Sequence, residues 1–145
     1  MRARTRDESG QTALLLVGLA VVLMLLVGVT VDASAAYLRR QGLDNLADGA
    51  ALAAADGVQG AQVYEGGLGE VALVDPEVAR AYVADYLARS GAAREFPGLR
   101  VDVDARVDRV VVRVSAPLDL PFTPPGWVGT PRISSTAASY VVVSD

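Results

Sequence analysis

The chain has 145 residues, 52% of them hydrophobic, with a formal net charge of -4 and neither His nor Cys. That composition excludes disulfides, thiolate nucleophiles, imidazole bases and metal sites built on His or Cys. The 13 basic residues, all Arg, are interleaved with 17 acids and form no basic patch of the kind nucleic acid requires.

Residues 1–10, MRARTRDESG, are a short charged leader. Then Gln11 to Val31 run for 21 residues without a charge, up to Asp32. A bilayer core of roughly 30 Å takes about 20 helical residues, so this stretch predicts one membrane crossing. Arg2, Arg4 and Arg6 precede it, whereas the next cations are Arg39 and Arg40. Positive charge stays in the cytoplasm, which predicts a cytoplasmic N-terminus and an extracytoplasmic remainder in the inner (cytoplasmic) membrane. Ala33-Ser34-Ala35 has the small-residue form of a signal cleavage site, but signal cores run about 7 to 15 apolar residues and this one is longer. A charged leader ending in Gly10 before an apolar helix is also the layout on which a prepilin peptidase cuts, leaving Gln11 first. The Glu that major pilins carry five residues after the cut is absent, and Leu15 stands there.

Helical character continues past Asp32. Leu43, Leu46, Ala47, Ala50, Ala53 and Ala54 share one face, with Gln41, Asp44, Asn45 and Asp48 opposite. This predicts a second helical segment, 32–57, continuing the first for roughly 65 Å in all, with Gly42 and Gly49 as points where it bends. The Ala-rich face suits close packing, either on the chain's own domain or on neighbouring subunits.

Here a specific likeness emerges. Residues 7–57 resemble the N-terminal region of TadG-like proteins of the Tad/Flp pilus-assembly system. The matching positions are Asp7, Glu8 and Gly10; then Val31 and Asp32; then Tyr37, Leu38 and Leu43; then Ala47, Asp48, Gly49, Ala50, Ala51, Leu52 and Ala53. Gly49 stands where the family pattern has Ala, a change expected to loosen the helix slightly. Larger TadG-like proteins can carry a von Willebrand factor A-type domain with a D-x-S-x-S metal site. No such motif occurs here, so the resemblance implies no metal-dependent adhesion and no cofactor.

Residues 58–75 hold many glycines and no clear period, which predicts a linker. They contain neither G-x-x-x-x-G-K nor G-x-G-x-x-G, the backbone cradles of nucleotide binding. The remainder, 76–145, is enough for one small α+β domain. Asp75-Pro76-Glu77 opens a helix, with Asp as cap, Pro in the first turn and Glu at the positive end of the dipole, and Ser90-Gly91 closes it. Val78, Tyr82, Val83, Tyr86 and Leu87 form its apolar face.

From Leu99 the period changes to two. Leu99, Val101, Val103 and Ala105, then Val110, Val112 and Val114, predict an antiparallel hairpin turning near Val107-Asp108. Asp102, Asp104 and the interleaved arginines line its solvent face, which suits cross-strand ion pairs better than a calcium loop. Residues 116–130 carry four of the seven prolines and Trp127, a loop that anchors either on the core or at the membrane interface. Arg132 to Val143 predicts a last strand.

The fold class is thus α+β with a pilin-like layout: a membrane-spanning helix continuing into a long amphipathic helix, a second helix, and an antiparallel sheet of about three strands. The resemblance implies a minor pilin-like or assembly component of a Tad/Flp-type pilus or surface-secretion apparatus. Its partners would be the lipid bilayer and other pilin-like or Tad-system membrane proteins, with no nucleic acid and no small-molecule substrate. A membrane-anchored binding or accessory protein unrelated to filaments is the alternative. A tethered hydrolase would need a general base and a nucleophile elbow, and the sequence has neither His nor G-x-S-x-G, so no catalytic residue is assigned.

Overall fold

A computed structural model of the chain describes residues 8–65, 74–122, 129 and 131–141. The element order is α1 (Glu8–Glu65), α2 (Pro76–Ser90), α3 (Ala92–Glu95), β1 (Arg100–Ala105), β2 (Arg109–Pro117) and β3 (Arg132–Tyr140). The strands form one antiparallel sheet in the order β1-β2-β3. Val112, at its centre, sits opposite Val103 on one side and Ala137 on the other. Trp127 and the prolines at 124 and 125 lie outside the described residues.

α1 is 58 residues long, or about 87 Å at the standard rise. No Pro interrupts it, and the polar groups at the end of its apolar half are satisfied locally. Thr30 Oγ1 donates to Leu26 O and Ser34 Oγ to Thr30 O, both at 2.8 Å. Gly42 and Gly49 leave the helical assignment unbroken.

The inner face of the sheet meets the second half of α1. Val110, Val112, Val114 and Ala116 on β2 are fully buried, as are Leu43, Ala47, Ala50 and Ala54 on α1. Small side chains on the helix let its backbone approach the valine row, and burial at this density excludes water from both surfaces. The alanine face therefore packs on the chain's own domain. Ala51, Ala55 and Val58 join it, whereas Ala53, expected on this face, is only partly buried.

α2 lies beside α1 and over β1. Its N-cap is as the sequence predicts: Asp75 Oδ1 accepts from Glu77 N at 2.8 Å, and Pro76 opens the helix. Gly91, at φ 72, closes it in the left-handed region, donating to Ala88 O and Leu87 O. The same glycine begins the single turn of α3, which has no counterpart in the sequence-based prediction and which sets Phe96 into the core.

Residues 58–65, expected as the start of a linker, belong to α1 instead. α1 continues to Glu65, and Val58 is buried at 2% exposure in the core. That valine extends the spacing of 43, 47, 50 and 54 by one more turn, and its burial offsets the roughly 1 kcal/mol that Gly57 and Gly60 each cost a helix against Ala. Residues 66–73 of the expected linker lie outside the described residues. The hairpin turns where predicted, with Arg106 N donating to Arg109 O at 2.8 Å across the turn. β2 runs on through Ala116 to Pro117, the last residue of the central strand.

Candidate functional site: the membrane edge and the free face of α1

From Gly10 to Val27 every described side chain of α1 is exposed on all sides of the helix. Among the described residues this is the one helix long and apolar enough to cross a membrane. Leu14 and Met24 each stand 75% exposed, a condition that water does not tolerate over some five turns and that lipid satisfies. Gly10 and Gln11 lie in the first turns of α1, exposed and with nothing packed near the Gly10 Cα.

Where the apolar run ends, the folded domain begins to touch the helix. Asp32 Oδ1 accepts a hydrogen bond from Phe122 N at 3.0 Å. Two turns further, Arg39 Nε donates to Pro117 O at 3.3 Å, its guanidinium reaches Asp119 at 4.0 Å, and its plane sits 5.4 Å from the centre of the Phe96 ring. These contacts tie the loop leaving β2 to the first turns of α1 beyond the span. The Arg39–Asp119 pair is open to solvent at its carboxylate and adds little by itself. The backbone and ring contacts hold the position.

Three glycines on α1 form a second device. Gly42, Gly49 and Gly57 lie seven and eight residues apart, hence on one stripe, and each faces an aromatic ring. A Cβ at 42 would stand 3.0 Å from Phe96 Cζ, one at 49 would overlap the hydroxyl end of Tyr86, and one at 57 would overlap the body of the Tyr82 ring. Gly49, expected to loosen the helix, is instead a socket. Sequence reasoning missed this set, although the near-heptad glycine spacing and the Tyr82, Tyr86 and Phe96 series were both legible.

The predicted motif positions divide by face. Leu43, Ala47, Ala50 and Ala51 are in the core, and Asp32 holds the loop. Asp48 is exposed, as is Tyr37 at 67%. Leu38, at 65%, and Leu52, at 55%, are also uncovered. A shallow groove on this side is lined by Val29, Thr30, Ala33, Ser34, Tyr37 and Leu38 and runs across the membrane edge.

Nothing in the arrangement gathers reactive groups. Among the described residues no polar or charged side chain is buried as a whole, and no three acidic side chains converge. The sheet's outer face carries Asp104, paired at 2.9 Å with Arg106 just past the end of β1. Arg113 stands opposite Asp102 in register, yet its Nε donates to Thr136 Oγ1 at 3.3 Å on β3. The expected cross-strand Asp–Arg pairing is thus replaced by one contact at the end of β1 and one to the other neighbour.

Comparison with known proteins places these features. No curated protein and no solved structure gives a match. The model of the Tad family, "Putative Flp pilus-assembly TadE/G-like", matches residues 10–57. That match begins at the glycine before the apolar run and ends at the glycine socket under Tyr82, so it covers the span, Asp32 and nearly all of the α1 face buried in the core. Over this segment, about a third of its length, the chain is similar to the TadE/TadG-like proteins of Flp pilus assembly.

Proposed function

We propose that the chain is a membrane-anchored, minor pilin-like or assembly component of a Tad/Flp-type pilus or surface-secretion apparatus, structural rather than catalytic. Its N-terminus is cytoplasmic and its domain extracytoplasmic. The observation that carries this reading is the coincidence of the family match with a single helix. That helix gives its first half to the bilayer and one face of its second half to the domain, and it leaves Tyr37, Leu38 and Leu52 uncovered. A subunit of an assembly needs such a free face, whereas a self-contained anchored receptor needs a recognition site on its domain. In this reading the uncovered face meets other pilin-like or Tad-system membrane proteins.

The arginines of the leader support the orientation. Gly10 and Gln11 are the proposed processing point, as an exposed peptide bond at the start of the helix.

Deletion of the gene in its own host, with complementation by the wild type and by a Leu38→Asp, Leu52→Asp double variant, tests the role. Loss of surface pili or of the dependent secretion, restored by wild type and not by the double variant at equal membrane level, is the expected result. Normal piliation in the deletion strain overturns it and favours an accessory protein unrelated to filaments. Intact-mass measurement reads the processing: a chain beginning at Gln11 supports cleavage after Gly10, and one beginning at Met1 or Ala36 contradicts it.

A further inference from the structure

We propose that the loop of residues 118–122, Leu-Asp-Leu-Pro-Phe, is a second membrane contact, which seats Phe122 in the lipid interface beside the span and stands the domain directly on the bilayer. The inference rests on reading residues 11–31 as membrane-spanning and goes beyond the role proposed above. Two observations carry it. First, Phe122 N is bonded to Asp32 Oδ1 at 3.0 Å, and Asp32 directly follows the last residue of the uncharged run, about 1.5 Å along the axis. The polar interface extends some 5–8 Å beyond the hydrocarbon on each side, so the Phe122 backbone falls within that layer.

Second, Phe122 is 58% exposed although it is a large aromatic side chain. Pro121 beside it is exposed as well, and Leu118 and Leu120 are only partly covered. The one charge in the loop, Asp119, is turned to Arg39. An apolar loop fixed at the depth of an interface is continuous with the lipid-facing surface of the span, and aromatic side chains gain most at that depth. Arg39 adds a second tie through Pro117 O, so the loop is held to α1 at two heights. The opposite end of β2, at the turn of Val107, lies nine strand residues away, about 30 Å, and supplies a reference point far from the loop.

The chain has no Cys, so single cysteines report cleanly. The full chain carrying Phe122→Cys, Val107→Cys or Met24→Cys, labelled with an environment-sensitive nitrobenzoxadiazole probe, is reconstituted in phosphatidylcholine–phosphatidylglycerol vesicles with and without brominated acyl chains. All three positions are exposed, so the label perturbs no core contact. The expected result is a clear loss of emission in brominated vesicles at 24 and at 122, with emission at 107 unchanged. Quenching at 24 but not at 122 overturns the second contact and leaves the span standing. A blue-shifted label at 122 without quenching also overturns it, because protein rather than lipid then covers the loop. Absence of quenching at 24 removes the membrane reading itself, and the inference with it.

Discussion

Both halves of α1 carry many apolar residues, and these meet different fates. Between Gln11 and Val31 the large side chains Leu, Val and Met surround the helix, and not one is covered by the domain. Between Leu43 and Val58 the apolar residues are mostly alanines, and apart from Leu52 they gather on one side, which is buried almost completely. The difference lies in shape and arrangement. A helix apolar all round has no face to offer a small domain and needs a solvent that is apolar all round. A helix with a one-sided stripe of small residues lets a sheet approach to backbone distance and leaves its other side to water or to a partner.

Mutations that break this division are expected to differ by half. Val112→Asp places a charge at a fully buried point of the sheet against the alanine stripe, with a cost of about 4 kcal/mol or more. The domain should then be lost to proteolysis in vesicles while the chain still fractionates with membranes. Survival of a protease-resistant domain would mean that α1 and the sheet are not held as described.

Leu43→Ala, at a residue with no exposed surface, should cost about 2–5 kcal/mol, whereas Leu52→Ala on the uncovered side should stay within about 0.5 kcal/mol. Thermal unfolding of the detergent-solubilised chain reads both. Equal losses would show that some partner covers Leu52 even in the purified protein.

The glycine sockets sharpen the comparison further, because in an open helix Gly→Ala gains about 1 kcal/mol. Gly57→Ala meets the body of the Tyr82 ring, close to its own backbone, and should lose about 1–3 kcal/mol. Gly49→Ala meets only the far end of Tyr86, which can swing, and should lose less. Gly42→Ala, at 3.0 Å from Phe96 Cζ, should come out near zero. Gly18→Ala in the span, with nothing within 4 Å, should leave the domain's melting unchanged. A series without this gradient would rule out close packing of α2 on the stripe.

A modest and purely local effect is expected at the start of α2. Asp75→Ala removes the acceptor for Glu77 N and should lower stability by about 1 kcal/mol without touching the span or the alanine face. A loss much larger than this would mean that Asp75 serves more than its own helix.

Much of the fold was legible because its signals are local. The cap at Asp75, the close at Gly91 and the turn at Val107-Asp108 follow from what a few neighbouring residues do to the backbone, and each was found where the sequence put it. The end of α1 was not, because glycines at 57 and 60 argue locally for a loop, and only the burial of Val58 keeps the helix going. Likewise the short α3 depends on Phe96 finding the core, which no local rule states. For the candidate site, the family likeness marked Asp32, Tyr37 and Leu43 as one set, yet the fold gives them three different surroundings.

By itself, then, the sequence determined the span, the period of the helix behind it and the strands. These depend on the order of apolar and polar residues along one element, and an element carries that order wherever it packs. Tertiary structure alone decided that the alanine stripe faces the chain's own sheet, that Gly42, Gly49 and Gly57 receive rings, and that Asp32 holds Phe122 at the membrane edge, 90 residues away in sequence. Each of these joins surfaces distant along the chain, and a preference for a small or polar residue does not specify which partner will arrive.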